Sequence, residues 1–131
     1  MSIKILIVDD SPVMLRSVRS FVEHETDWEV CGEAENGSVA VEMVRQSAPH
    51  VVLMDLSMPV MNGLDAAREI HKIVPDLPIL LFTLHNSSQL IEEARRAGIR
   101  AVLSKSDGLG SNLIDTVRAQ VPANLATKNR A

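Results

Sequence analysis

The chain has 131 residues, 46% of them hydrophobic, and a formal net charge of −4. That length supports one domain with a real core, and the apolar content excludes a disordered chain. The acidic balance excludes a nucleic-acid grip through this surface, because phosphate binding needs a basic face.

The chain opens with an apolar run at residues 3–8 that stops at Asp9-Asp10. It is too short for a signal peptide or a membrane span. Its continuity predicts a strand buried on both faces. Cys31 is the one cysteine, so no internal disulfide forms, which fits a reducing compartment. A cytoplasmic protein with no membrane attachment is the expectation. Ser11 then has the character of a helix N-cap, with Pro12 at the first helical position. Met14, Val18, Phe21 and Val22 follow at helical spacing.

Residues 28–34 alternate, with Trp28, Val30, Gly32 and Ala34 on one side and Glu29, Cys31 and Glu33 on the other. This predicts an edge strand with one wetter face. Asn36-Gly37 breaks the strand, and 38–46 reads as a helix ended by Pro49. Residues 51–54 are a four-residue apolar strand that ends at Asp55. A loop with Pro59 and Asn62-Gly63 leads to a helix at about 64–74.

Residues 79–83 form another buried strand, whose last residue is the hydroxyl-bearing Thr83. Asn86, Ser87 and Ser88 offer caps for a helix with Leu90, Ile91, Ala94 and Ala97 on its apolar face, ended by Gly98. A short strand at 101–103 precedes Ser104-Lys105, and a last helix spans roughly 111–121. Pro122 closes it, leaving 122–131 as a polar tail or the start of a linker.

Five strand–helix repeats in strict alternation predict a parallel α/β sheet with helices on both faces and right-handed crossovers. The first strand is the most apolar and the second has edge character, which fits the doubly wound, flavodoxin-like (βα)5 order 2-1-3-4-5 in a single domain.

That order gathers the chemistry at one edge. Asp9, Asp10, Asp55, Thr83 and Lys105 all stand at carboxyl ends of strands, where sites form in open α/β sheets. Two carboxylates ~5 Å apart at an effective dielectric of about 20 repel by on the order of 3 kcal/mol. Such a group keeps a proton or takes a cation. All-oxygen donors with room for water favour Mg²⁺. A carboxylate beside Mg²⁺, an ammonium and a hydroxyl has the parts for phosphoryl transfer.

These motifs resemble the receiver domain of bacterial two-component response regulators. The match runs from Ile5-Leu6-Ile7-Val8-Asp9-Asp10 through Val52-Leu53-Met54-Asp55-Leu56-Ser57-Met58-Pro59, Met61-Asn62-Gly63 and Phe82-Thr83 to Lys105. It places a receiver domain at 1–121. The texture around Lys105-Ser106-Asp107 is similar to receivers that precede LuxR-type helix-turn-helix domains. The resemblance implies that Asp55 is the phosphoacceptor, served by a histidine kinase. It implies that Asp10, Asp55 and the Ser57 backbone carbonyl ligate Mg²⁺ and that Asp9 acts through water. Thr83 becomes the switch hydroxyl and Lys105 the phosphate-pairing ammonium. Ser57 and His85 flank the path of hydrolytic water and are expected to set the lifetime of the signal.

Three departures stand out. Val102 occupies the aromatic switch position, Leu84 follows the switch hydroxyl where a small residue is usual, and Ser106 replaces the proline after the lysine. Leu84 is expected to narrow access to the acceptor. With Val102 it supports a second reading, a binding module that has bypassed phosphorylation. A haloacid-dehalogenase-like phosphatase is disfavoured, because Asp9-Asp10-Ser11 lacks the Asp-x-Asp pattern and no cap domain is present. The domain is therefore expected to be a phosphoacceptor with no turnover activity beyond its own phosphorylation and dephosphorylation. A homodimer on activation is a further expectation.

Overall fold

The computed structural model describes residues 2–84 and 87–121. Asn86, His85 and 122–131, to which a cap, a kinetic role and a tail were assigned above, lie outside the described residues. The elements alternate as β1 (Lys4–Val8), α1 (Pro12–Glu25), β2 (Glu29–Ala34), α2 (Gly37–Ser47), β3 (Val51–Met54), α3 (Gly63–Ile73), β4 (Ile79–Thr83), α4 (Ser88–Arg96), β5 (Ala101–Ser104) and α5 (Ser111–Gln120). All strand pairs are parallel, in the order 2-1-3-4-5.

The period of two along each strand divides the core. Ile5, Ile7, Leu53, Leu80 and Phe82 face α1 and α5, where they pack with Val18, Val22, Leu113 and Val117. Leu6, Val8, Val52, Met54 and Leu81 face α2, α3 and α4, against Ala40, Val44, Ala66, Ile70, Leu90 and Ala94. Both faces of the central strands are covered, which is why their sequences are apolar without alternation.

Helix starts follow the capping chemistry. Ser11 Oγ accepts from the Met14 N–H at 3.2 Å, and Ser87 Oγ from Leu90 at 3.1 Å. Both Asn-Gly pairs do the same work: Asn36 Oδ1 accepts from Val39 and Asn62 Oδ1 from Asp65, each at 2.9 Å. At the end of α4, Gly98 adopts φ +91° while Gly98 and Ile99 donate to the carbonyls of Arg95 and Ala94. That is the paired bonding of a Schellman cap.

The reading of β2 needs correction. Its pairing with β1 slips between Ile5, opposite Val30, and Leu6, opposite Gly32, so Cys31 is an extra residue. A bulge of this kind reverses the facing of everything after it. Trp28 and Val30 pack on the α1/α5 side, while Ala34 joins the opposite cluster. Glu33 consequently reaches Arg19 of α1. Simple alternation had put Trp28, Val30, Gly32 and Ala34 on one side.

A 3₁₀ turn at Lys105–Asp107 follows β5 directly, with the Ser106 N–H donating to Ser104 Oγ at 3.2 Å. The sequence reading had no element there. The last helix ends at Gln120. Among the described residues no helix is long and apolar enough to cross a membrane.

Candidate functional site

Strand pairing continues one residue past β1 and β3, and this places the two central acids. The Asp9 N–H donates to the Ala34 carbonyl at 3.0 Å, and the Asp55 N–H to the Val8 carbonyl at 2.9 Å. Both carboxylates therefore leave the same sheet edge as neighbours. They are almost buried, at 5% and 8% exposure, whereas Asp10 is exposed. Carboxylate oxygens of Asp9, Asp10 and Asp55 lie within 4.8 Å of one another.

Lys105 answers that charge. Its Nζ donates to Asp9 Oδ2 at 2.7 Å and lies 3.5 Å from Asp55 Oδ2, with only 11% of the side chain exposed. The remaining oxygens are held by backbone. The Ser11 N–H donates to Asp9 Oδ1 at 2.9 Å, and the Leu56 N–H to Asp55 Oδ1 at 2.8 Å. Burial raises the Asp55 pKa, and the Asp9 charge adds to it; Lys105 and the Leu56 N–H oppose the rise.

The donor set fits a hard divalent cation. It is oxygen only, it brings more negative charge than one ammonium offsets, and Asp10 opens it to water. Asp9, Asp10 and Asp55 are the carboxylates that could hold such an ion.

Thr83, at the end of β4, is fully buried. Its strand neighbour is Ser104, immediately before Lys105. The sheet thus brings Asp9, Asp10, Asp55, Thr83 and Lys105 to one edge. Ser57 lies two residues past Asp55 in the exposed part of the loop. Leu84 is 71% exposed and belongs to neither core cluster. Val102 packs against the α2–α4 core and lines a groove of about 140 Å³ with Ile91, Ala94 and Ile99.

Sequence reasoning missed two residues that shape this site. Gly63 donates to the Leu56 carbonyl at 2.8 Å, and a Cβ there would lie 2.3 Å from the Asp55 carbonyl oxygen. Gly37 donates to the Met61 carbonyl at 2.9 Å, and its Cβ would lie 2.5 Å from that oxygen. The available signal is the repeated Asn-Gly, which reads as a strand break at Asn36-Gly37 and as a loop at Asn62-Gly63, and not as a cap followed by a close approach.

The family model of the response regulator receiver domain matches residues 5–117. The chain belongs to this family. Among curated proteins, the receiver domain is 42% identical over 109 residues to a protein-glutamate methylesterase/protein-glutamine glutaminase of Methanococcoides burtonii. That match covers 82% of this chain and 31% of the relative. It is 37% identical over 122 residues to the transcriptional regulatory protein YdfI of Bacillus subtilis, covering 93% of this chain and 56% of the relative. The chain thus spans between about a third and a half of the length of these relatives. Among solved structures, a LuxR-family two-component response regulator from Aurantimonas superposes with a TM-score of 0.85 at 27% identity, covering 99% of both chains. The receiver domain is the phosphoacceptor switch module of two-component systems.

Proposed function

We propose that Asp55 is the residue that takes the phosphoryl group, from the phosphohistidine of a sensor histidine kinase. An Asp55 oxygen attacks phosphorus, the P–N bond breaks, and its electron pair returns to the donor imidazole. The observation that carries the assignment is the position of Asp55. It is nearly buried at the end of the central strand β3, beside the Asp9 carboxylate and with the Lys105 ammonium 3.5 Å away. Asp10, Asp55 and the Ser57 carbonyl are assigned to Mg²⁺, with Asp9 acting through water; the ion would neutralise charge on the phosphoryl oxygens. Lys105 moves from its carboxylate partners to a phosphoryl oxygen. Thr83 supplies a hydroxyl to another.

Phosphorylation adds roughly −1.5 to −2 charge with strong acceptors. The segment from β4 to α5 carries Thr83, Lys105 and Val102, so this is the part that shifts. A population shift there changes the surface offered to a partner, a second receiver included. In this reading the domain works in the cytoplasm, binds no nucleic acid itself and turns over no substrate. Any DNA-binding or enzymatic output belongs to other segments of the protein.

Intact mass after treatment with a small acyl-phosphate donor and Mg²⁺ tests the assignment. One phosphoryl group is expected, and its absence in Asp55→Asn and without metal. No gain, even with a matched kinase, would refute it. That result would favour the unphosphorylated binding module, to which Val102 and the solvent-exposed Leu84 point.

A further inference from the structure

The loop that follows Asp55 contains a conformation that its own residues do not favour. Val60 has φ +69° and is 85% exposed. The Met61 N–H donates to the Pro59 carbonyl at 2.7 Å, which makes Val60 the centre of a classic γ-turn. A β-branched residue there is strained, and such strain persists only where surrounding structure fixes it. Val60 makes no such structure, because its side chain lies in solvent. The constraint comes from either side. Pro59 has its φ locked by the ring. Met61 packs against the α2–α4 core, and its carbonyl accepts the Gly37 N–H at 2.9 Å.

Gly37 is the first residue of α2, and its N–H is one of the donors that a helix start leaves without an internal partner. Here it holds the tip of the acceptor loop. No side chain fits between them, since a Cβ on Gly37 would sit 2.5 Å from the Met61 oxygen and 2.9 Å from Ala66 Cβ. The base of the same loop is closed by Gly63 on Leu56. A chain pinned at both ends, with proline in its middle, has little freedom left at Ser57 and Met58.

We infer that Gly37 is a positioning residue for the phosphoacceptor site: through Met61 it holds the strained turn at Val60, and so fixes the segment beside Asp55 that completes the metal site. The inference rests on the function proposed above and adds α2 to the parts on which the site depends. If the Gly37–Met61 bond is lost, the turn relaxes to negative φ. The locked Pro59 then passes that rotation back towards Ser57.

The test is Mg²⁺ affinity by titration calorimetry on the full chain, with amide hydrogen exchange at Gly37 and Met61 as a second readout. Gly37→Ala is expected to keep the fold and to weaken Mg²⁺ binding about tenfold, the usual scale for loss of a supporting contact behind a metal ligand. Adding Val60→Gly removes the strain and is expected to restore affinity to within about twofold of wild type, which a general loss of stability would not permit. Val60→Pro breaks the turn at an exposed position without touching Gly37. It carries the test if Gly37→Ala does not fold, with the same tenfold loss and faster exchange at Gly37 expected. Wild-type affinity in the folded Gly37→Ala or in Val60→Pro overturns the inference and leaves the proposed function intact. Failure of Val60→Gly to rescue Gly37→Ala also overturns it. Failure of the wild-type chain to bind Mg²⁺ overturns both.

Discussion

Lys105 sits between two nearly buried carboxylates, and replacing it with methionine isolates what that ammonium does. At separations of 2.7 and 3.5 Å the gross attractions are about 6 and 5 kcal/mol at an effective dielectric of about 20. Most of this offsets the desolvation of the three groups. What is measurable is the cost of leaving carboxylates without their partner, about 3–5 kcal/mol for a buried pair. The lower figure applies here, because the cluster opens to water at Asp10. Lys105→Met is therefore expected to destabilise the domain by about 3 kcal/mol, or a Tm drop of roughly 10 °C for a chain of this size. In an Asp9→Asn background the same change should cost only about 1 kcal/mol, since one stranded charge is gone. Urea unfolding read by Trp28 fluorescence measures all four proteins. Trp28 is the one tryptophan, it is 5% exposed, and it packs on the α1/α5 core. Equal costs in the two backgrounds, both below about 0.5 kcal/mol, would show a solvated lysine and refute the reasoning.

Asp55→Asn should raise Tm at neutral pH. The folded pKa of Asp55 lies above its ordinary value, so stability falls as pH rises from near 3.8 through the folded pKa. The gain over wild type should vanish in acid below that window; a variant less stable than wild type at pH 7 would contradict it. His50 behaves oppositely. Its Nδ1 accepts the Lys4 backbone N–H at 2.8 Å while the His50 backbone N–H donates to the Lys4 carbonyl at 2.8 Å, and its pKa is lowered by burial and by the Lys4 charge. The stability it contributes is present above the unfolded pKa near 6.5 and is lost as pH falls through the folded value. The urea midpoint should decline from pH 7 to pH 5 more steeply in wild type than in His50→Asn, and identical slopes would exclude the effect. Gly63→Ala places a methyl against the Asp55 and Leu56 backbone, where no flexible side chain can yield. A loss of about 2 kcal/mol or more is expected in chemical denaturation, and a neutral result would mean the loop moves freely.

Much of this molecule was legible in its sequence because its signals are local and redundant. Apolar runs without alternation gave the central strands, and Ser11-Pro12 gave the start of α1. The placement of Asp9, Asp55, Thr83 and Lys105 followed from one rule about strand ends. The facing of β2 was not legible. Nothing in Val30-Cys31-Gly32 announces an inserted residue, because a bulge is decided by how β2 pairs with β1. The partly buried bridge of Lys105 to Asp9 was equally out of reach, since it depends on how β5 lies relative to β1 across two intervening strands. Pattern gives the edge on which a side chain emerges, and packing decides which oxygen it meets.

The bulge at Cys31 also bears on how copies of this domain coexist at high concentration. β2 is one of two outer strands, and a regular outer strand is a template on which another chain can extend the sheet. With an extra residue in its middle, β2 cannot offer an unbroken ladder to a newcomer. The opposite margin, β5, is only four residues long and runs straight into the Lys105–Asp107 turn. Sheet growth is thus obstructed at both margins, so a contact between two copies of this domain would fall on helices and loops.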